Sequence, residues 1–282
     1  MDHIRDLGSC STFGDEDEIP KGSFEHEDFG DDDICHAMIY SFNYPDNKVC
    51  WIDARVGRAN DIKLNFELSP GCNWCCLPGL CMMISGGKHL KEARKIDVVR
   101  DLAVTGLASM NTARWEHSLV LHQNSVFALS GNTSKCEKYL ISENRWEDIA
   151  SIPIAVSGSS ALSMPYSNSI YVLGGATEDY EFMDTVQVLE LGSLKWKLLS
   201  LSLPCGDVFI ASFRVSFYSQ NLYFVSEEKL YKLSANDEAL ECLQTLAKSI
   251  CCITGRAVYL GEKLYCSTDE GTFEEVEIVI GC

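Results

Sequence analysis

The chain has 282 residues, 46% of them hydrophobic, and a formal net charge of −18. That acidity repels nucleic acid and anionic membrane surfaces, and no stretch approaches the roughly 20 continuous apolar residues that span a bilayer. The opening MDHIRDL has neither the basic nor the apolar region of a secretory leader, so a soluble, cytoplasmic protein is expected, with protein partners and neither nucleic acid nor membrane.

Residues 1–34 read as an acidic leader, with 12 acidic and 2 basic side chains in the first 33 positions. So much charge on so little apolar surface does not fold alone, and disorder is expected there; an acidic docking segment for a basic partner is the alternative. From residue 35 to 282 the chain repeats itself. The unit IYVLGG (170–175) has cognates in VFALSG (126–131) and MMISGG (82–87), with weaker copies IYSFNY (39–44), LYFVSE (222–227) and LYCSTD (264–269). The copies end at 44, 87, 131, 175, 227 and 269, in steps of 43, 44, 44, 52 and 42.

Other residues keep register with this unit. Tyr139 precedes Trp146 by seven positions, and Leu189 precedes Trp196 by the same interval. Each period holds four short strand-like runs divided by turn residues, such as those around Pro153 and Pro204. Helical periodicity competes only locally, over KHLKEARKI (88–96). The first copy shows three runs, AMIYSF, KVCWIDA and IKLNFEL, and the last shows SICCITG, KLYCST and FEEVEIVIG, for 22 strands in all. Six full blades need 24, so the ends are expected to meet by strand exchange, with a five-bladed ring still open.

Four strands per 42 to 52 residues is the period of a β-propeller blade. The arrangement resembles the kelch family, best over LASMNTARWEHSLVLHQNSVFALSG (107–131). The resemblance implies an all-β propeller of four-stranded antiparallel blades, most simply six. It gives structural roles to Gly86, Gly87, Gly131, Gly174, Gly175, Tyr139, Trp146 and Trp196, with the indoles filling the wedges between blades. Arg114 and His117 occupy the places of the inter-blade Arg and His of kelch repeats, where His117 is expected to bond structurally between blades.

In kelch propellers the loops joining second to third strands share a face with the inter-blade loops. On that expectation the binding-face candidates are Lys88, His89, Lys91 and Arg94, then Arg114, Trp115 and His117, then Glu178, Asp179 and Tyr180. Arg, Trp and Tyr together have the composition of interaction hot spots. The resemblance implies a non-enzymatic interaction module. The alternatives are a substrate-recognition subunit of a ubiquitin ligase acting with a separate adaptor, and a metal-dependent kelch enzyme. The last needs a ligand set that Asp28, Asp32 and His36 approach but do not match. Fourteen cysteines lie mostly in apolar runs and read as buried thiols. Cys72 and Cys75 form a lone pair without a second at matching spacing, so no metal and no cofactor is expected.

Overall fold

The computed structural model describes residues 38–278 and 280, apart from 44–45, 54–57, 80, 98–102, 205–209, 217–218, 227, 235–237, 247–256, 268–272 and 279. The leader at 1–34 and the run SICCITG lie outside the described residues.

Among the described residues there are 22 strands, no helix and six antiparallel sheets. The first sheet holds β1 (Met38–Asn43), β2 (Lys48–Asp53) and β3 (Arg58–Lys63). The second holds β4 (Asn73–Leu77), β5 (Cys81–Ser85), β6 (Ala93–Asp97) and β7 (Val104–Leu107). The third is β8 (Ser118–His122), β9 (Ser125–Leu129), β10 (Cys136–Leu140) and β11 (Arg145–Ile149). The fourth is β12 (Ser160–Met164), β13 (Ser169–Leu173), β14 (Val186–Glu190) and β15 (Lys195–Leu198). The fifth is β16 (Ile210–Phe213), β17 (Asn221–Ser226), β18 (Lys229–Ser234) and β19 (Ala239–Thr245). The sixth is β20 (Ala257–Leu260), β21 (Lys263–Ser267) and β22 (Phe273–Glu277).

These sheets stand radially about one axis. Strand β4 packs beside β8, β8 beside β12, β12 beside β16 and β16 beside β20, while β1 touches both β20 and β21. The first and last sheets therefore meet, and the ring has six blades rather than five. The axis is a narrow channel of about 90 Å³ lined by residues of all six sheets, among them Ile39, Trp74, Val120, Leu162, Ser212 and Val258.

Two expected boundaries move. The first copy was expected to supply second, third and outer strands, IKLNFEL being the outer one, but β1 takes the innermost place, with Ile39 lining the axis, and β3 is the third strand and ends at Lys63. The apolar alternation continues through Leu64 and Leu68, both buried, because Asn47 pins a loop there. Its Nδ2 donates to the carbonyls of Leu64 and Phe66, and its Oδ1 accepts from Leu68 N. In the last copy the strand that pairs with LYCS is β20, which begins at Ala257. The ambiguous KHLKEARKI is a turn followed by β6.

The continuous apolar runs follow from burial on both faces. Along β13, Ile170 and Val172 pack toward the third sheet, and Tyr171 and Leu173 toward the fifth. Along β9, Val126 and Ala128 face the second sheet while Phe127 and Leu129 face the fourth. The core is thus a set of apolar wedges between neighbouring sheets. The seven-residue spacing is a cross-strand pairing, with Tyr139 opposite Trp146 and Leu189 opposite Trp196. Each indole then ties its sheet to the one before it. Trp146 Nε1 donates to Ala108 O at 2.8 Å and Trp196 Nε1 to Ala150 O at 2.9 Å.

Polar ties join the innermost strands as well. Ser118 Oγ donates to Ser159 O at 2.8 Å, and Ser160 Oγ accepts from Ser212 N at 3.0 Å. On the rim, Lys197 pairs with Glu238 of the next sheet. Their hydrogen bond draws the Glu238 carboxyl below its ordinary value and lifts the Lys197 ammonium above its own. The clasp therefore holds at neutral pH, loosening as pH falls through the carboxylate range or rises through that of lysine.

Gly86 and Gly131 serve the inter-blade segment 114–117. Gly131 has φ +91°, and a Cβ there would stand 2.6 Å from Trp115 O. Gly86, at φ +71°, would meet Arg114 O at 2.4 Å. Gly131→Ala is expected to destabilise the fold by about 2 kcal/mol or more, combining left-handed strain with overpacking. Chemical denaturation checks this, and an unchanged midpoint would contradict it.

Candidate interaction face

In a four-stranded antiparallel blade, the loop from second to third strand and the segment leading to the next blade emerge at the same end. Hydrogen bonds join these loops into one surface. Gly87 N donates to Arg114 O, Val156 N to Ser130 Oγ, and Ser157 and Ala176 exchange two backbone bonds. On this surface Lys88, His89 and Lys91 are exposed. His89 meets Trp115 edge to face, with ring centroids 5.7 Å apart. Trp115 is half-buried, so part of its ring reaches solvent. Glu178, Asp179 and Tyr180 are exposed at the tip of a hairpin.

Two residues expected on the face are elsewhere. Arg114 is 0% exposed and cannot touch a partner. Its Nη2 pairs with Glu137 Oε1 at 2.6 Å, and its Nη1 donates to the carbonyls of Ser130 and Lys135. Glu137, buried too, also accepts from the backbone N–H groups of Asn111 and Thr112. His117 is buried, with its Nε2 3.1 Å from Ser85 Oγ of the preceding sheet, and its carbonyl accepts from Asn73 Nδ2. Its role is the expected inter-blade one. Arg94 is half-buried, its guanidinium 4.3 Å from the Phe66 ring centroid.

A repeated device links Arg94 and Glu137 to a third residue. Arg94 pairs with Ile84, Glu137 with Ala128 and Gln187 with Val172. Each of those partners stands three residues before the closing glycine of its copy, so all three side chains share one register position. Each one holds the incoming inter-blade segment: Arg94 covers Phe66, Glu137 binds 111–114, and Gln187 exchanges two hydrogen bonds with the backbone of Ile154. Sequence reasoning missed Glu137 and Gln187. The available signal was a polar side chain inside a third strand, at matching distance from the glycine.

The axial channel carries Arg214, whose Nη1 donates to Ser163 O, while Ser163 Oγ lies 2.8 Å from His122 Nδ1. Its remaining lining is mainly apolar. Among the described residues, no group of three or more His, Cys, Asp or Glu side chains is placed to hold a metal. No helix among them is long and apolar enough to cross a membrane.

Cys136 and Cys242 are free thiols. Burial pushes the Cys136 thiol above its ordinary value, whereas Cys242 is exposed. Alkylation of the native protein is expected to label Cys242 ahead of Cys136 and to leave Cys136 unmodified, since the thiolate is the reactive form. Peptide mass spectrometry reads this directly, and comparable labelling of both would contradict it.

Radial sheets, wedged indoles and glycine-gripped inter-blade segments define a six-bladed β-propeller. No protein-family model matches the chain. Over 99 residues it is 36% identical to Kelch-like protein 35 of Mus musculus, covering 33% of this chain and 17% of that protein. Over that third of the chain the likeness is to a kelch-like protein, and the whole ring is that of a six-bladed propeller.

Proposed function

We propose that this propeller is a non-enzymatic protein-interaction module that binds its partner through the loop face carrying Lys88, His89, Lys91, Trp115, Glu178, Asp179 and Tyr180. What carries the reading is the division of labour among the polar residues. Arg114 and His117, the groups with most chemical capability in the inter-blade segment, are buried in structural bonds. The exposed remainder is a rim of aromatic rings and charges, the usual composition of a protein-binding surface.

The test is quantitative affinity capture with the full chain, comparing the unaltered protein with Lys88→Glu/Lys91→Glu and with Trp115→Ala. The reading predicts that a reproducible subset of captured proteins is lost from at least one variant while thermal stability stays within a few degrees. An identical captured set for all three proteins would remove the face from consideration.

A further inference from the structure

The hairpin between β13 and β14 differs from the other loops of the face. Among the described residues four large apolar side chains are exposed, Tyr166, Tyr180, Phe182 and Leu198, and two of them sit on this one hairpin. Tyr180 is 86% exposed and Phe182 42%. Their scaffold is nevertheless ordered by backbone bonds. Met183 N donates to Gly175 O, Thr177 N to Glu181 O and Tyr180 N to Thr177 O, while Ala176 bridges both Ser157 and Phe182. The rings are therefore held out on a preformed stem, and docking them costs little ordering entropy.

We infer that this hairpin is an anchor that inserts Tyr180 and Phe182 into an apolar cleft, rimmed by lysine or arginine, on a partner protein. The inference rests on the interaction-module reading and narrows it to one arm and one partner chemistry. A projecting aromatic tip needs a concave apolar receptor, and tyrosine is among the residues that most often dominate such contacts. The charge of the receptor follows from the flanks. Glu178, Asp179, Glu181 and Asp184 are all exposed around the rings, and none belongs to an ion pair among the described residues. A partner covering the rings must partly desolvate these carboxylates, which is unfavourable unless it brings cations to meet them. Nucleic acid and anionic lipid are repelled by the same charges and by the net −18 of the chain.

The experiment places the photo-crosslinker p-benzoylphenylalanine at position 180 and, in a second protein, at position 88 of the full chain, and maps the crosslinked partner peptides. The expected result is that crosslinks from 180 fall in a partner segment of net positive charge. The purified partner should then bind Tyr180→Ala at least ~10-fold more weakly, as expected of an interface hot spot. Glu178→Lys/Asp179→Lys should weaken binding by a similar factor or more, and affinity should fall as salt rises from about 0.05 to 0.3 M. All these positions are exposed, so an unchanged thermal midpoint shows that the variants are folded. Crosslinks from 180 that land on a neutral or acidic segment, or a partner that binds the variants undiminished, would overturn the inference. Crosslinks from 88 with none from 180 would overturn it while leaving the interaction face standing; failure at both positions would remove both.

Discussion

Arg114→Met is expected to lower the midpoint of thermal unfolding by about 10 °C. The side chain has no solvent contact, and its loss leaves Glu137 as a buried carboxylate without a countercharge. Breaking a buried pair from one side typically costs about 3–5 kcal/mol, and in chains of this size each kcal/mol moves the midpoint by roughly 2–4 °C. The damage comes from the stranded charge more than from the lost bond, which makes a second variant informative. Adding Glu137→Gln removes that charge while its amide oxygen still accepts from one of the two backbone N–H groups, of Asn111 or Thr112, that the carboxylate oxygens hold. The double variant is expected to recover more than half of the loss. Calorimetry on the two proteins checks both statements, and a double variant less stable than Arg114→Met would contradict the account.

A loss of comparable size is expected from Trp146→Ala. The indole is buried against Tyr139 at a centroid distance of 5.0 Å, in the wedge between the second and third sheets. Truncating a buried tryptophan to alanine costs about 3–5 kcal/mol through lost transfer energy and the cavity left behind. It also removes the donor to Ala108 O, the tie between adjacent sheets. Trp146→Phe, which keeps a ring but not the N–H, isolates that tie and is expected to lose less, with about 1 kcal/mol coming from the hydrogen bond. Trp196→Ala should be milder than Trp146→Ala because Trp196 is only half-buried. Urea denaturation ranks the three, and equal effects at 146 and 196 would show that wedge burial is not what holds the indoles.

The architecture was legible where it depends on local pattern. Ile170 to Leu173 form an unbroken apolar run because each faces one of two neighbouring sheets, and the glycines after it mark where segment 156–159 and the Ile210 side chain come close to the backbone. The strand end at Lys63 was not legible, since Leu64 and Leu68 continue the alternation and only the distant Asn47 side chain turns them into a pinned loop. Arg114 was read as both a family position and a docking candidate. An arginine beside a tryptophan looks the same in either role until its partner is known, and that partner, Glu137, lies on another strand. Tyr180 is the opposite case: loop composition makes it a docking candidate, and its ring is left exposed among the described residues.

The claim on which the rest depends is that the first and last sheets close side by side around one channel. Ile39 on β1 and Val258 on β20 belong to one apolar cluster and line the same cavity although they lie at opposite ends of the described chain. With methyl-labelled isoleucine, leucine and valine, the account predicts a nuclear Overhauser cross-peak between these two side chains. Absence of that peak, in a spectrum that does show Ile170 of the fourth sheet against Leu129 of the third, would mean that the ring does not close.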